Sequence, residues 1–364
     1  MTKKYDFSEL AELININSYT KNKKGVDLNG KLMREKLEAL GYECEVFKRE
    51  EIGDHLFFKS PKREGKKILL LGHLDTVFPP MSFEEFREDE EWIYGPGVCD
   101  MKGGNFVALE ALRNLKREGE IYNIDFLLVS DEETGSDDSK EITAKIALDY
   151  DYCMVFEAAG KNGELVIERK GVATFYIDIK GKAAHAGNNY KDGINANLEA
   201  AEKLIAITNL TDLSKATTVN VGKIEGGIGA NTISPHAKLT VEIRYAKASE
   251  RDRVLREFYD IVHTPVVLGS ESILSGGIQR DVMQSTPKQK EFLDLIEKLT
   301  SQKVLVEKRG GVSDANIVAS VGVAVIDGFG PFGDGDHTIH ERALKKSFIE
   351  RVEFVTKILK GICQ

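Results

Sequence analysis

Two rhythms of apolar and polar residues alternate along this chain. Apolar side chains return every three or four positions at Ala108, Ala111, Leu112 and Leu115, and again at Phe348, Val352, Val355 and Leu359, which predicts helices with one buried face. The same spacing predicts helices around Ala201, Leu204 and Ile205 and around Val254, Leu255, Phe258 and Ile261. Short apolar runs at 67–71, 124–129, 151–156 and 323–326 read as buried strands. Short strands alternating with helices predict an α/β layer with a mainly parallel central sheet.

The middle of the chain has a different pattern. Residues 172–180 alternate as a strand, 195–208 read as a helix, 217–224 and 237–245 as two strands, and 250–262 as a second helix. A helical segment at 288–299 then resumes the α/β pattern. The expected organisation is a discontinuous larger domain, 1–170 and 279–364, interrupted by an inserted α+β domain at 171–278.

Composition narrows the range of functions. The 364 residues are 41% hydrophobic, enough for a sizeable core, and 50 basic against 59 acidic residues leave a net charge of −9. Non-specific binding to nucleic acid or an anionic membrane needs clustered positive charge, and no dense run of Lys and Arg is present. The four cysteines, Cys44, Cys99, Cys153 and Cys363, form no CxxC pair, so reduced thiols are expected. The N-terminal stretch lacks the apolar segment of a signal peptide, and the apolar runs are too short to span a bilayer, so the expected location is the cytoplasm.

The chemistry concentrates in five segments: GHLDT (72–76), YGPGVCDMKGG (94–104), SDEETGS (130–136), VFEA (155–158) and DHTIHE (336–341). Four of them follow a predicted strand or open a helix, where sites gather in open α/β sheets. His73 and Asp75 share a face if the strand continues, so a ligand imidazole can be oriented by a carboxylate, although so short a pattern as HxD alone reads more readily as a core histidine beside a turn. Asp100 can bridge two cations through its two oxygens, or simply cap a turn. The adjacent Glu132 and Glu133 point in different directions, so one can hold a metal while the other takes a proton from the attacking water; paired glutamates also commonly face solvent. Glu157 ends an apolar strand, where an unpartnered charge is rare. His337 and His340 compete for a single role. One bridging carboxylate, two terminal carboxylates and two imidazoles suit a pair of zinc-like ions. GPGVCD opens like a dinucleotide-binding turn but lacks the third glycine, and no P-loop is present.

Together these segments resemble the zinc metallopeptidase family of glutamate carboxypeptidase, aminoacylase, acetylornithine deacetylase and succinyl-diaminopimelate desuccinylase, and the glutamate carboxypeptidase branch in particular. GHLDTVFP, YGPGVCDMKGG, DEETGS, Glu157, GKAAHAG, GGIGANTISP, RGGVSDA and GPFGDGDHTIHE carry the likeness across nearly the whole chain. The resemblance implies His73, Asp100, Glu133, Glu157 and His337 as metal ligands with Asp100 bridging. It implies Glu132 as the general base and Asp75 as the support of His73. His337 is preferred to His340 because Glu341 follows it by four residues. A cis Asp100–Met101 bond is also implied. In the inserted domain, read as a lid and dimerisation domain, His185 resembles a histidine that reaches a neighbouring subunit's site. Asn231 and Arg244 resemble substrate-binding residues, and Gly310, Gly311 and Asp314 a loop lining the pocket.

The implied activity is dinuclear zinc-dependent hydrolysis of an amide bond next to a carboxylate in a small peptide or N-acyl amino acid. Two zinc ions per chain are implied, with cobalt or manganese as substitutes, in a homodimer built through the inserted domain. An N-acyl-amino-acid deacylase or dipeptidase shares the same centre. A catalytically inactive binding protein would have lost a ligand or the base, and a nucleotide-dependent oxidoreductase would need a phosphate motif. Neither feature is found.

Overall fold

The computed structural model describes residues 5–363 and separates into two compact units. One unit contains the chain up to Glu168, Ser285–Arg309 and the chain from Ser313 onward; the other contains Arg169–Gln284 and Gly310–Val312.

The first unit is α/β. Its six-stranded sheet runs Glu43–Phe47, His55–Lys59, Ile124–Val129, Ile68–His73, Tyr152–Val155, Ala324–Ile326 across its width. The last four strands are mutually parallel and the first two antiparallel. Every residue of Ile68–His73 and of Ile124–Val129 is buried, as expected of central strands with apolar neighbours on both faces. Helices Lys102–Glu118 and Lys345–Cys363 contribute Phe106, Leu109, Leu112, Phe348, Val352 and Val355 to the core that the sheet shares. Residues 102–104 begin the first of these helices at very close range. A Cβ on Gly103 would lie 2.0 Å from the Val98 carbonyl, and one on Gly104 1.8 Å from that of Phe156, so only glycine permits this approach.

A smaller four-stranded sheet joins Gly333–Asp334, Arg342–Leu344, Trp92–Tyr94 and Arg87–Glu88. Arg342 pairs with Tyr94, which carries the 335–341 loop alongside the turn that leads to Asp100.

The second unit is a four-stranded antiparallel sheet, ordered Thr218–Gly226, His236–Tyr245, Gly171–Lys180, Glu271–Arg280, with helices Ala196–Thr208 and Ala248–His263. Alternate residues Ala173, Phe175, Ile177 and Ile179 face Leu239, Val241, Ile243, Val254 and Phe258 in a core of their own. The unit reaches Gln284, beyond the sequence boundary at 278, because its fourth strand continues to Arg280. That strand, ESILSGGIQR, buries only its last residue and contains two glycines, so no apolar alternation announces it.

Helix Ala196–Thr208 forms where expected but buries a different face. Ala196, Glu199, Ala200, Lys203 and Ile207 point inward, while Leu198 and Ile205 are exposed. Lys203 is inside because its ammonium pairs with Glu199 at 3.0 Å and donates to the carbonyls of Ile261, Val262 and Thr264, closing the end of helix Ala248–His263.

Candidate metal centre

His73 is the last residue of its strand and is buried. Its Nδ1 lies 3.0 Å from the Asp75 carbonyl oxygen, which can only accept, so Nδ1 carries the hydrogen. With an ion bound, Nε2 would therefore be the free lone pair turned to the cluster, and it lies 3.0 Å from Asp100 Oδ1 and 3.7 Å from Glu157 Oε1. Asn105 fixes the strand end by donating to the His73 carbonyl at 2.7 Å. Asp75 is fully buried. Its Oδ1 is 3.4 Å from His73 Nδ1, and its Oδ2 accepts from Thr20 Oγ1 at 2.7 Å and from the Glu133 N–H at 3.2 Å.

Asp100 faces two groups at once. Oδ1 meets His73, and Oδ2 lies 3.1 Å from His337 Nε2, which is also 3.2 Å from Glu133 Oε2. Glu132 and Glu133 lie in a short turn, Glu132–Thr134, closed by Gly135 at φ 106°. Ligand atoms of His73, Asp100 and Glu133 lie within 4.8 Å of one another, as do those of His73, Glu132 and Glu157. The Asp100–Met101 bond is cis. His340 is exposed and lines a separate cavity with Arg87, Tyr94 and Arg342, so of the two competing histidines His337 is the one beside these carboxylates.

The loop carrying Asp100 is held by one buried carboxylate. Glu341 accepts the N–H groups of Cys99 at 3.0 Å and Asp100 at 3.1 Å through Oε1, and that of Gly97 at 3.0 Å through Oε2. Burial nevertheless pushes its carboxyl up to about 7. Replacing Glu341 by Ala strands three buried donors at about 1–3 kcal/mol each, so a loss of several kcal/mol and weaker metal retention are expected. Glu341→Gln, which keeps one acceptor oxygen, should lose less; equal melting temperatures for wild type and Glu341→Ala would remove this role. In the sequence Glu341 stands out only by its spacing from His337, and nothing there assigns a role to Thr20, Asn105 or the buried Lys102, whose ammonium donates to the carbonyls of Leu13 and Ile16. A lysine and an asparagine within the apolar start of helix Lys102–Glu118 were the available signal.

The electrostatics call for cations. Burial, reinforced by the charge of Asp100, pushes the carboxyls of Glu133 and Glu157 well above their usual range. Burial opposes the charge on Asp100 too, but hydrogen bonds to His337 and His73 hold it well below. Bonds to Asp100 and Glu133 push His337 up to about 11. Burial works against the charge on His73, but its bonds to Asp100 and Asp75 still raise it. Glu133 Oε1 is buried without a hydrogen-bond partner. Fully ionised beside two neutral imidazoles, the four carboxylates Asp100, Glu132, Glu133 and Glu157 would carry four negative charges, which two divalent cations would balance. This mixed nitrogen and oxygen donor set fits such ions.

Of the remaining expected residues, His185, Asn231, Arg244, Gly310 and Gly311 belong to the second unit and Asp314 to the first. His185 forms a bridge with Thr232, and the Ala186 N–H donates to the Asn231 carbonyl at 2.9 Å, which puts His185 and Asn231 side by side. Arg244 grips Glu242 in two-pronged fashion at 2.8 and 3.1 Å and donates to the Gly310 carbonyl at 3.2 Å, next to Gly311.

Residues 69–361 match the model of peptidase family M20/M25/M40. The chain belongs to this family. This M20 peptidase is 30% identical to carboxypeptidase G2 of a Pseudomonas species over 90% of its own length and 82% of the relative's. It is 26% identical to succinyl-diaminopimelate desuccinylase of Coxiella burnetii over 91% and 92% of the two chains. Its fold matches a tripeptidase from Staphylococcus aureus with a TM-score of 0.82, 24% identity and coverage of 98% and 97%. It also matches aminopeptidase PepT from Bacillus cereus with a TM-score of 0.79, 23% identity and 98% of each chain covered. The M20 peptidase is thus a metallopeptidase, and its residue groups are of the kind that hold metal. Among the described residues, no helix is long and apolar enough to cross a membrane.

Proposed function

We propose that this M20 peptidase is a dinuclear zinc exopeptidase that hydrolyses the amide bond next to a free carboxylate, in the manner of a glutamate carboxypeptidase. The observation that carries this reading is Asp100, whose two oxygens face two different sets of nitrogen and oxygen donors. The likeness to carboxypeptidase G2 over most of both chains supports the substrate class.

His73 and Glu157 would hold one ion, His337 and Glu133 the other, and Asp100 both. When bound, zinc supplies Lewis acidity and lowers the pKa of water at the site. Glu132 takes the proton of the attacking water on its carboxylate and later delivers it to the leaving nitrogen. Asp75 keeps the His73 ring oriented. His185 donates to the oxygen that gains charge as the carbonyl is attacked. Asn231 orients the substrate, and Arg244 leaves Glu242 to grip its carboxylate with its planar fork. The backbone around Gly311 lines the same pocket.

Arg244→Ala is expected to raise KM for carboxylate-bearing substrates about 10- to 100-fold, the scale of lost charge-assisted bonds. Unchanged KM and kcat would remove its assignment.

The second unit supports a homodimer. Arg244 pairs with Val172 and His236 with Lys180, so eight strand residues, about 25 Å of chain, separate Arg244 from the end of the sheet near His185 and Asn231. One small substrate cannot reach both from a single copy of this unit. A second copy supplying His185 and Asn231 resolves the mismatch, and the exposed Leu198, Ile205, Ile224 and Ile228 provide apolar surface for it. Mixing and re-pairing the inactive variants Glu132→Gln and His185→Ala should restore roughly a quarter of wild-type activity, from random pairing in a two-fold dimer. No recovery from verified mixed dimers would contradict the exchange of His185.

A deacylase or dipeptidase on the same centre is the second reading, favoured by the likeness to succinyl-diaminopimelate desuccinylase. Turnover of a folate-like glutamyl amide, an N-acyl amino acid and a dipeptide separates them. The carboxypeptidase reading predicts the highest kcat/KM on the glutamyl amide, and preference for either other substrate would overturn it.

A further inference from the structure

In the first unit a cavity of about 570 Å³ opens between the 161–163 turn, the 302–305 segment and helix Lys345–Cys363. None of the residues assigned to metal or substrate lines it. Its walls carry Lys161, Lys303, Lys346, Arg351 and Lys357 against two carboxylates, Glu350 and Glu353. That is an excess of three positive charges on a chain whose net charge is −9.

Arg351 is the unusual member. It is 5% exposed, and an arginine so buried ordinarily has a carboxylate partner. Its only hydrogen bonds among the described residues run from one terminal nitrogen to the carbonyls of Gly163 at 2.8 Å and Glu164 at 3.4 Å, leaving Nε and the other terminal nitrogen to donate. The two carboxylates whose charge acts on it, Glu164 and Glu350, are engaged elsewhere. Glu164 accepts from the Asn162 backbone and side chain at 2.7 and 2.9 Å inside its own turn, and Glu350 pairs with Lys346 at 3.2 Å. Burial accordingly pulls the guanidinium down to about 10. Lys161, Lys303 and Lys357 have no ion-pair partner among the described residues. Val304, Leu305, Phe332, Leu344 and Phe354 give the cavity an apolar floor.

We propose that this cavity binds a multiply charged organic anion, its phosphate or clustered carboxylate groups held by Arg351 and the lysine rim. The volume suits a small molecule, and the guanidinium supplies the planar donors that such groups accept. The site is separate from the metal centre, so the inference does not depend on the proposed reaction.

The test is calorimetric titration of the metal-loaded protein with fructose bisphosphate and, separately, with tricarballylate. Saturable binding of the first marks a phosphate ligand; binding of the second alone marks a polycarboxylate. In either case Lys161→Glu/Lys357→Glu, two exposed changes, should weaken binding about tenfold or more, the scale of a lost charge-assisted bond. Arg351→Met should do the same where its melting curve shows a folded protein. Arg244→Ala should leave this binding intact, which separates it from capture of a substrate carboxylate. No binding of either anion at millimolar concentration, or equal affinity in the rim variant, would overturn the proposal.

Discussion

Glu132→Gln is expected to lower turnover about 10²- to 10⁴-fold while the protein keeps its full metal content. Glutamine preserves the shape of the side chain and its oxygen, so the short turn and its packing survive. What is lost is the ability to accept a proton. The neighbouring Glu133 cannot substitute, because its carboxylate lies against His337 and its N–H is held by Asp75. Glu132 is buried next to His73 and Glu157, which puts its carboxylate at the cluster. The measurement is metal analysis and steady-state kinetics on the same preparation. Metal lost together with activity would make Glu132 a ligand, and normal turnover would exclude it as the base.

Asp100→Asn should remove about one of the two metals per chain and lower activity at least about 100-fold, beyond the 10- to 100-fold typical of changes to groups that merely support a ligand. An amide keeps one oxygen but presents an NH2 where the second oxygen stood. One side of the cluster therefore loses a negative donor while the other keeps it. Because Asp100 touches both His73 and His337, the loss cannot be confined to a single histidine. Two tightly held metals in this variant would show that Asp100 does not bridge.

Much of the first unit was legible because its chemistry sits at the ends of regular elements. His73 ends a strand of continuous apolar residues, Glu157 follows another, and the glycines at 103 and 104 mark a helix packed too closely for any side chain. Other elements gave weaker signals. Helix Lys23–Glu38 buries Val26, Asn29, Gly30, Met33 and Leu37, and its polar Asn29 is inside to donate to the Leu13 carbonyl, which interrupts the apolar stripe. Lys203 hid the buried face of helix Ala196–Thr208 for the same reason: a polar group with enough partners belongs to the core. Contacts made across long stretches of chain, such as Glu341 on the Gly97–Asp100 turn, leave little periodic trace in the sequence.

The most direct test of the dinuclear account is zinc per chain, measured with glutamyl amide hydrolysis before chelation, after it, and after zinc is restored. The account predicts about two zinc ions per chain, with activity lost on chelation and regained as the second equivalent is added. Full activity in protein stripped of metal, or saturation of activity at a single equivalent, would contradict it.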